Sequence, residues 1–127
     1  MRLLLDTHVL LWWLEGSPKL GARARGYFSD QSTEILYSVA SPWEMAIKIS
    51  QGKLAVDIGD AIRSFDGAGF KRIDIETAHL VTLSALERLH GDPFDRMIVV
   101  QAMCGGLVVM TTDSAVLRYP VQTIGCR

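Results

Sequence analysis

Cysteine is scarce in this sequence: the 127 residues hold only Cys104, inside an apolar run, and Cys126, one residue from the end. Two thiols so placed form neither a disulfide framework nor a paired metal-ligand spacing, and a reduced cytoplasm is the simplest setting for them. An excess of charge of one sign is lacking as well. Thirteen basic residues stand against fourteen acidic ones, a net charge of -1, without the basic stamp of many nucleic-acid binders or the composition of an acidic disordered chain. No stretch approaches the ~18 to 20 continuous apolar residues that span a bilayer, so a soluble protein with no membrane partner is expected. The opening MRLLLDTHVLLWWLEG is interrupted by Asp6 and His8 and lacks a small-residue cleavage site, and reads as mature structure. With no linker, repeat or low-complexity stretch, residues 1–127 read as one domain.

What is present is a 49% apolar composition, enough for one buried core, arranged in alternating strand and helix signals. Leu3 to Leu5 predict a buried strand and Val9 to Leu14 a helix ended by Glu15-Gly16-Ser17-Pro18. A helical pattern follows over Leu20 to Asp30, then a strand over Glu34 to Val39. Ser41 is expected to cap a helix running to about Gln51-Gly52, with Pro42 in its first turn. Further along, the pattern predicts helices over Ile58 to Ala68 and Ala78 to Leu89, and a strand over Phe70 to Ile75. After His90-Gly91, the segment Asp92-Pro93-Phe94-Asp95 opens a helix to about Cys104. Strands over Leu107 to Met110 and Val121 to Ile124 complete the chain. Apolar strands separated by helices imply a three-layer α/β sandwich around a four- to five-stranded parallel sheet.

Open parallel sheets bind ligands at the carboxyl ends of their strands, and the polar residues placed there are acids. Asp6 directly follows the first strand, Asp113 directly follows the fourth, Glu44 lies five residues beyond the second, and Asp95 begins a helix. S-P-W-E and D-P-F-D share one design, with Glu44 and Asp95 each expected at the third helical position, ionised at neutral pH by the helix end. Each acid also has a purely structural reading: Ser41 with Glu44 as a capping box, the others as helix caps. Four at one sheet edge repel one another unless a cation offsets them. All-oxygen ligands suit Mg²⁺ or Mn²⁺ rather than zinc, and phosphodiester hydrolysis is the chemistry implied.

At these residues the sequence resembles the PIN domain, and within it the VapC-like toxins. The segments LLLDTHVLLWWL, SVASPWEMAIK, HGDPFDRMIVVQA and VVMTTD each resemble a block of that family, in the family's order, and span nearly the whole chain. The resemblance implies a metal-dependent ribonuclease whose Asp6, Glu44, Asp95 and Asp113 bind Mg²⁺ or Mn²⁺ and act on an RNA substrate. It places Thr7, Ser41 and Thr111 beside them as hydrogen-bonding support, with Asp92 as a helix cap and a water-mediated route to the metal. It also implies a cognate antitoxin whose tail lies along an apolar groove near the first helices and places a basic residue among the acids.

Other readings fit less well. A haloacid dehalogenase phosphatase wants a second Asp two residues after the first, where His8 stands, and a dinucleotide-binding fold wants a Gly-rich turn that Asp6-Thr7-His8 does not offer. A structure-specific DNA nuclease and a catalytically silent PIN fold that only binds stay open. His8 and His90 read as polar rim residues, His79 as a solvated helix residue, and Arg96 as the partner of a neighbouring acid. Trp12, Trp13 and Trp43 read as core or interface, and Arg23, Arg25, Lys48 and Lys53 as solvated helix faces. Val9 to Leu14 is apolar on every side of its helix and should be fully buried, part of it across the two-fold axis of a homodimer.

Overall fold

Leu3, Leu4 and Leu5 have no exposed surface, and the rest of the fold is built around the strand they form. In the computed structural model, which describes residues 1–127, β1 (Arg2–Leu5) pairs in parallel with β2 (Glu34–Ser38) on one side and β4 (Val108–Met110) on the other. β3 (Lys71–Ile73) adds to β2 and β5 (Thr123–Ile124) to β4, giving an all-parallel sheet of order β3-β2-β1-β4-β5. Register places Leu5 beside Tyr37 and Met110.

Strand alternation then splits the core in two. Leu3, Leu5, Ile35, Tyr37 and Met110 face a layer of α1 (Thr7–Glu15), α2 (Ala22–Ser29), α3 (Ala40–Ser50) and α4 (Ile58–Gly67), which contribute Val9, Leu10, Ala24, Met45, Ala61 and Phe65. Leu4, Leu36 and Val109 face the opposite way, against Ile98, Val99 and Ala102 of α6 (Pro93–Gly105). Each such large aliphatic side chain stabilises the fold by about 1.5–3 kcal/mol through burial. α5 (Thr77–Ala85) packs on α6, and this is the three-layer α/β sandwich expected. α1 and α6 both end at glycines, Gly16 and Gly106, each with φ +63°, a conformation that strains any residue with a Cβ.

Several expected boundaries move. The third helix begins at Ala40 with Val39 at its cap, so Ser41 is already inside the first turn. Ser38, the last residue of β2 and paired with Ile73, takes the N–H of Ala40 on its hydroxyl and starts the helix early. The third strand is shorter than Phe70 to Ile75. α5 stops at Ala85 instead of Leu89, because tertiary partners capture the backbone of the last expected turn: Arg96 donates to the Leu86 carbonyl and the Tyr119 hydroxyl takes the Leu89 N–H. His79 is buried rather than solvated, its Nδ1 accepting the Glu76 N–H in a capping box at the start of α5. Leu11, Trp12, Trp13 and Leu14 are only half-buried within the chain, where full burial was expected.

Candidate metal centre

From β1 the chain crosses to β2 and β3 on one side, and only later returns to β4 on the other, so the sheet's topological switch lies between β1 and β4. The carboxyl ends of those strands flank a crevice, and Asp6 and Asp113 stand at it. Asp6 is the N-cap of α1: it is buried, and its Oδ1 accepts the Val9 N–H at 2.9 Å. Asp113 uses Oδ1 to accept the Ala115 N–H at 2.9 Å and donates its own N–H to Thr111 Oγ1 at 3.0 Å. Capping and site position therefore coincide in Asp6, and in Asp113 a side-chain turn onto the Ala115 N–H fixes where the other oxygen points.

The remaining acids come from the starts of α3 and α6. Asp92 caps α6, accepting the N–H groups of Phe94 at 2.8 Å and Asp95 at 3.1 Å, with Pro93 in the first position. Asp95 sits at the third helical position as expected. Glu44 falls at the fifth, since α3 starts early, and Ser41 and Glu44 form no capping box. Instead the Ser41 hydroxyl lies 2.9 Å from that of Thr7 in a buried contact between α3 and α1. Glu44 Oε2 is 3.5 Å from Lys48 Nζ, while its Oε1 is buried with no hydrogen-bond partner. Lys48 thus pairs with a site acid rather than simply coating a helix face.

Crowding shows in the proton affinities. Burial pushes the Asp6 carboxyl up, with Asp113 adding to the push, against the hydrogen bonds of Thr111 and Val9 and the charge of His8. Asp95 is pushed up to about 7, first by burial and then by the charges of Asp92 and Glu44. The expectation that Asp95 is fully ionised at neutral pH is corrected accordingly: burial among other acids outweighs the helix end. Asp113 goes the other way, burial being outweighed by the Ala115 N–H and by His90, which hold it below the usual carboxylate range.

His90 is no rim residue. Its Nε2 lies 2.9 Å from Asp95 Oδ2 and 3.0 Å from Asp113 Oδ2, and the potential ligand atoms of His90, Asp95 and Asp113 all fall within 4.8 Å of one another. Burial depresses the basicity of the imidazole, but Asp113 and Asp95 more than compensate and raise it. The loop bearing it is pinned from behind. Tyr119 takes the N–H groups of Leu89 and His90 on its hydroxyl at 3.0 Å each, Arg96 donates to the Leu86 carbonyl and Arg118 to that of Leu89. Arg96 therefore pairs with a carbonyl rather than with an acid. The one sequence signal for His90 was its place two residues before the cap Asp92, which folds its side chain back over the start of α6.

The donor set fits a hard divalent ion. Asp95 and Asp113 come together with His90, while Asp6 and Glu44 stand near enough that the charge of Asp113 reaches Asp6 and that of Glu44 reaches Asp95. Glu44 has an orphaned buried oxygen and Asp95 a raised proton affinity, and a cation would relieve both. Trp43, next to Glu44, is more than half exposed and meets Phe94, next to Asp95, edge-on at 5.0 Å.

No curated protein matches the sequence. Among solved structures the chain is similar to one in the VapBC2 complex from Rickettsia felis bound to a DNA fragment from their promoter, at 14% identity and a TM-score of 0.78 over 100% of each chain. It is also similar to a chain in DNA-bound VapBC from Salmonella typhimurium, at 17% identity and a TM-score of 0.72 over 100% of this chain and 99% of the other. A chain in VapBC-1 from nontypeable Haemophilus influenzae matches at 16% identity and a TM-score of 0.70 over 98% of each. Identities this low establish a shared fold, and the sequence itself supplies the family. Residues 3–121, nearly the whole chain and all four acids, match the PIN domain, and the protein belongs to the PIN domain family.

Proposed function

We propose that this chain is a metal-dependent endoribonuclease and the toxin half of a toxin-antitoxin pair, with Asp6, Glu44, Asp95 and Asp113 holding Mg²⁺ or Mn²⁺. The observation that carries this reading is Glu44 Oε1, buried without a partner beside an Asp95 whose proton affinity Glu44 helps to raise. Leaving a buried carboxylate oxygen unpaired costs stability, and a site built that way is suited to a cation. Such an ion supplies an activated water and stabilises charge on the leaving oxygen of a phosphodiester. The residues of the chain do the positioning. Val9 and Ala115 N–H groups fix the carboxylates of Asp6 and Asp113, the Asp92 cap fixes the first turn of α6 and so Asp95, and Thr111 and the Thr7–Ser41 contact support the ends of the strands and helices around them.

An antitoxin partner is supported by the kind of complex in which the similar chains were solved, VapBC. It is supported also by an apolar groove lined by Trp12, Trp13, Leu20 and Phe28, where the half-buried face of α1 lies open to a partner's tail. For a homodimer, Leu80 and Val81 on the outside of α5 offer a second apolar surface, and sedimentation at micromolar concentration tests it. A cytoplasmic setting fits the two unpaired thiols. The decisive test of activity is a panel of structured RNAs, and DNA of the same sequences, incubated with Mg²⁺ or Mn²⁺ and with chelator. RNA cleavage that chelator abolishes is expected. Cleavage of DNA alone would mean a DNA nuclease, and none at all a binding module.

A further inference from the structure

His90 is not among the acids proposed above as metal ligands, yet it occupies the space between two of them. Its Nδ1 accepts the backbone N–H of Asp92 at 3.3 Å, and a backbone amide can only donate. The ring proton is thereby placed on Nε2, which points it at Asp95 Oδ2 and Asp113 Oδ2. The neutral Nε2–H tautomer supplies the N–H that this bridge requires while leaving Nδ1 free to accept. A donor shared by two acid oxygens does there what a cation does: it gives them a common electropositive partner and keeps them from repelling each other apart. A nitrogen holding that proton has no lone pair to offer a metal. To become a ligand, Nε2 would have to pass its proton to Nδ1 and break the contact with Asp92.

We propose that His90 is a built-in stand-in for the cation, bridging Asp95 and Asp113 in the metal-free protein and yielding its place when a divalent ion binds. The inference rests on the reading of the four acids as a metal site. The loop design agrees with it, since Tyr119, Arg96 and Arg118 grip the backbone around His90 and leave the ring itself held only by the two acids and one long contact. The side chain is also partly exposed, so it can rotate outward without opening the core. His90 then stabilises the metal-free form alone, and reciprocity requires that whatever stabilises only that form weakens ion binding by the same factor.

The test uses the full chain and Mn²⁺ alone, by calorimetric titration and by the electron spin resonance of free Mn²⁺, with thermal unfolding measured in chelator and in saturating Mn²⁺. His90→Asn keeps an acceptor for the Asp92 N–H but cannot reach the two acids, whereas His90→Gln returns an N–H near the position of Nε2. His90→Asn should bind Mn²⁺ about tenfold more tightly, the size expected for losing a hydrogen bond to charged partners. It should melt earlier than wild type in chelator but not in saturating Mn²⁺, and His90→Gln should stay near wild type on both counts. Weaker Mn²⁺ binding by His90→Asn would overturn the proposal by making His90 a ligand. Unchanged affinity with equal loss of stability in both conditions would overturn it by making the histidine merely structural. A wild-type protein that binds no Mn²⁺ would overturn the metal-site reading and this inference with it.

Discussion

The hydroxyls of Thr7 and Ser41 lie 2.9 Å apart in a buried contact that ties the start of α1 to the first turn of α3. These two helix starts also carry Asp6 and Glu44, so the contact links two proposed site acids that follow the neighbouring strands β1 and β2. Removing one hydroxyl leaves the other buried and unpaired. Ser41→Ala or Thr7→Val alone should cost about 1–3 kcal/mol, while the double variant should cost clearly less than the sum of the two. Urea unfolding of the four proteins measures the coupling, and additive losses would mean that the hydroxyls do not act as a pair.

The four acids should each be indispensable to cleavage and dispensable to folding. Asp6→Asn, Glu44→Gln, Asp95→Asn and Asp113→Asn keep shape but lose the charge that holds an ion, and each should reduce cleavage on the order of 10³-fold. Circular dichroism should show an intact fold in all four. Near-normal activity in the Asp6 variant would remove the proposed site.

Metal-free stability should depend on pH in a direction that Asp95 sets. Its carboxyl is pushed up to about 7 by burial and by its acidic neighbours, against about 3.9 for an unfolded Asp. Between those values the folded chain binds the extra proton, so this contribution is fully present below about pH 4 and is lost as the pH rises through about 7. His90, whose affinity for a proton is also raised, acts in the same sense in its own range. Melting temperatures in chelator should therefore fall from pH 5 to pH 8. Asp95→Asn should flatten that slope, and an unchanged slope in this variant would show that another group governs it.

Much of this was legible in the sequence because much of it is local. Leu3 to Leu5, the cap and proline of Asp92-Pro93 and the glycine stop at Gly106 follow from neighbours within a few residues, and each element stands where it was expected. The placement of Asp6 and Asp113 beyond the adjacent strands β1 and β4 followed from one topological rule for parallel sheets. His90 did not, because its position depends on a hydroxyl 29 residues further on, Tyr119, and on an arginine reaching back to Leu86. The same long-range captures cut α5 short, and no periodicity within Ala78 to Leu89 reveals them. Ser41 was misassigned for a related reason: Ser38 had already started the helix, and the hydroxyl of Ser41 was needed by Thr7.

The two thiols should differ sharply in reactivity. Cys104 is exposed on the last turn of α6, whereas Cys126 is buried and burial, with the nearby charge of Asp6, pushes its thiol up to about 11. A thiol reagent at pH 8 should modify one cysteine in the folded protein and two in denaturant. Rapid modification of both under native conditions would mean that Cys126 is not shielded in the folded protein.

Inhibition by an antitoxin should involve the acids as well as the groove. Without its four proposed site acids the chain's net charge of -1 would be +3, so these four carboxylates outweigh the chain's whole excess of negative charge. The space between Asp95 and Asp113 already accepts an N–H donor, that of His90, and an arginine or lysine head from a partner's tail is a stronger donor of the same kind. Apolar anchors along Trp12, Trp13, Leu20 and Phe28 would supply affinity and deliver that head to the acids, where it competes with the ion. An antitoxin encoded beside this chain should then inhibit cleavage, and excess Mg²⁺ or Mn²⁺ should relieve the block. Titrating metal against a fixed inhibitory dose, with the tail's basic residue intact and changed to Ala, separates the two contributions. The Ala variant should inhibit less and lose its sensitivity to metal. If metal has no effect and the Ala variant inhibits equally well, inhibition acts through the groove alone.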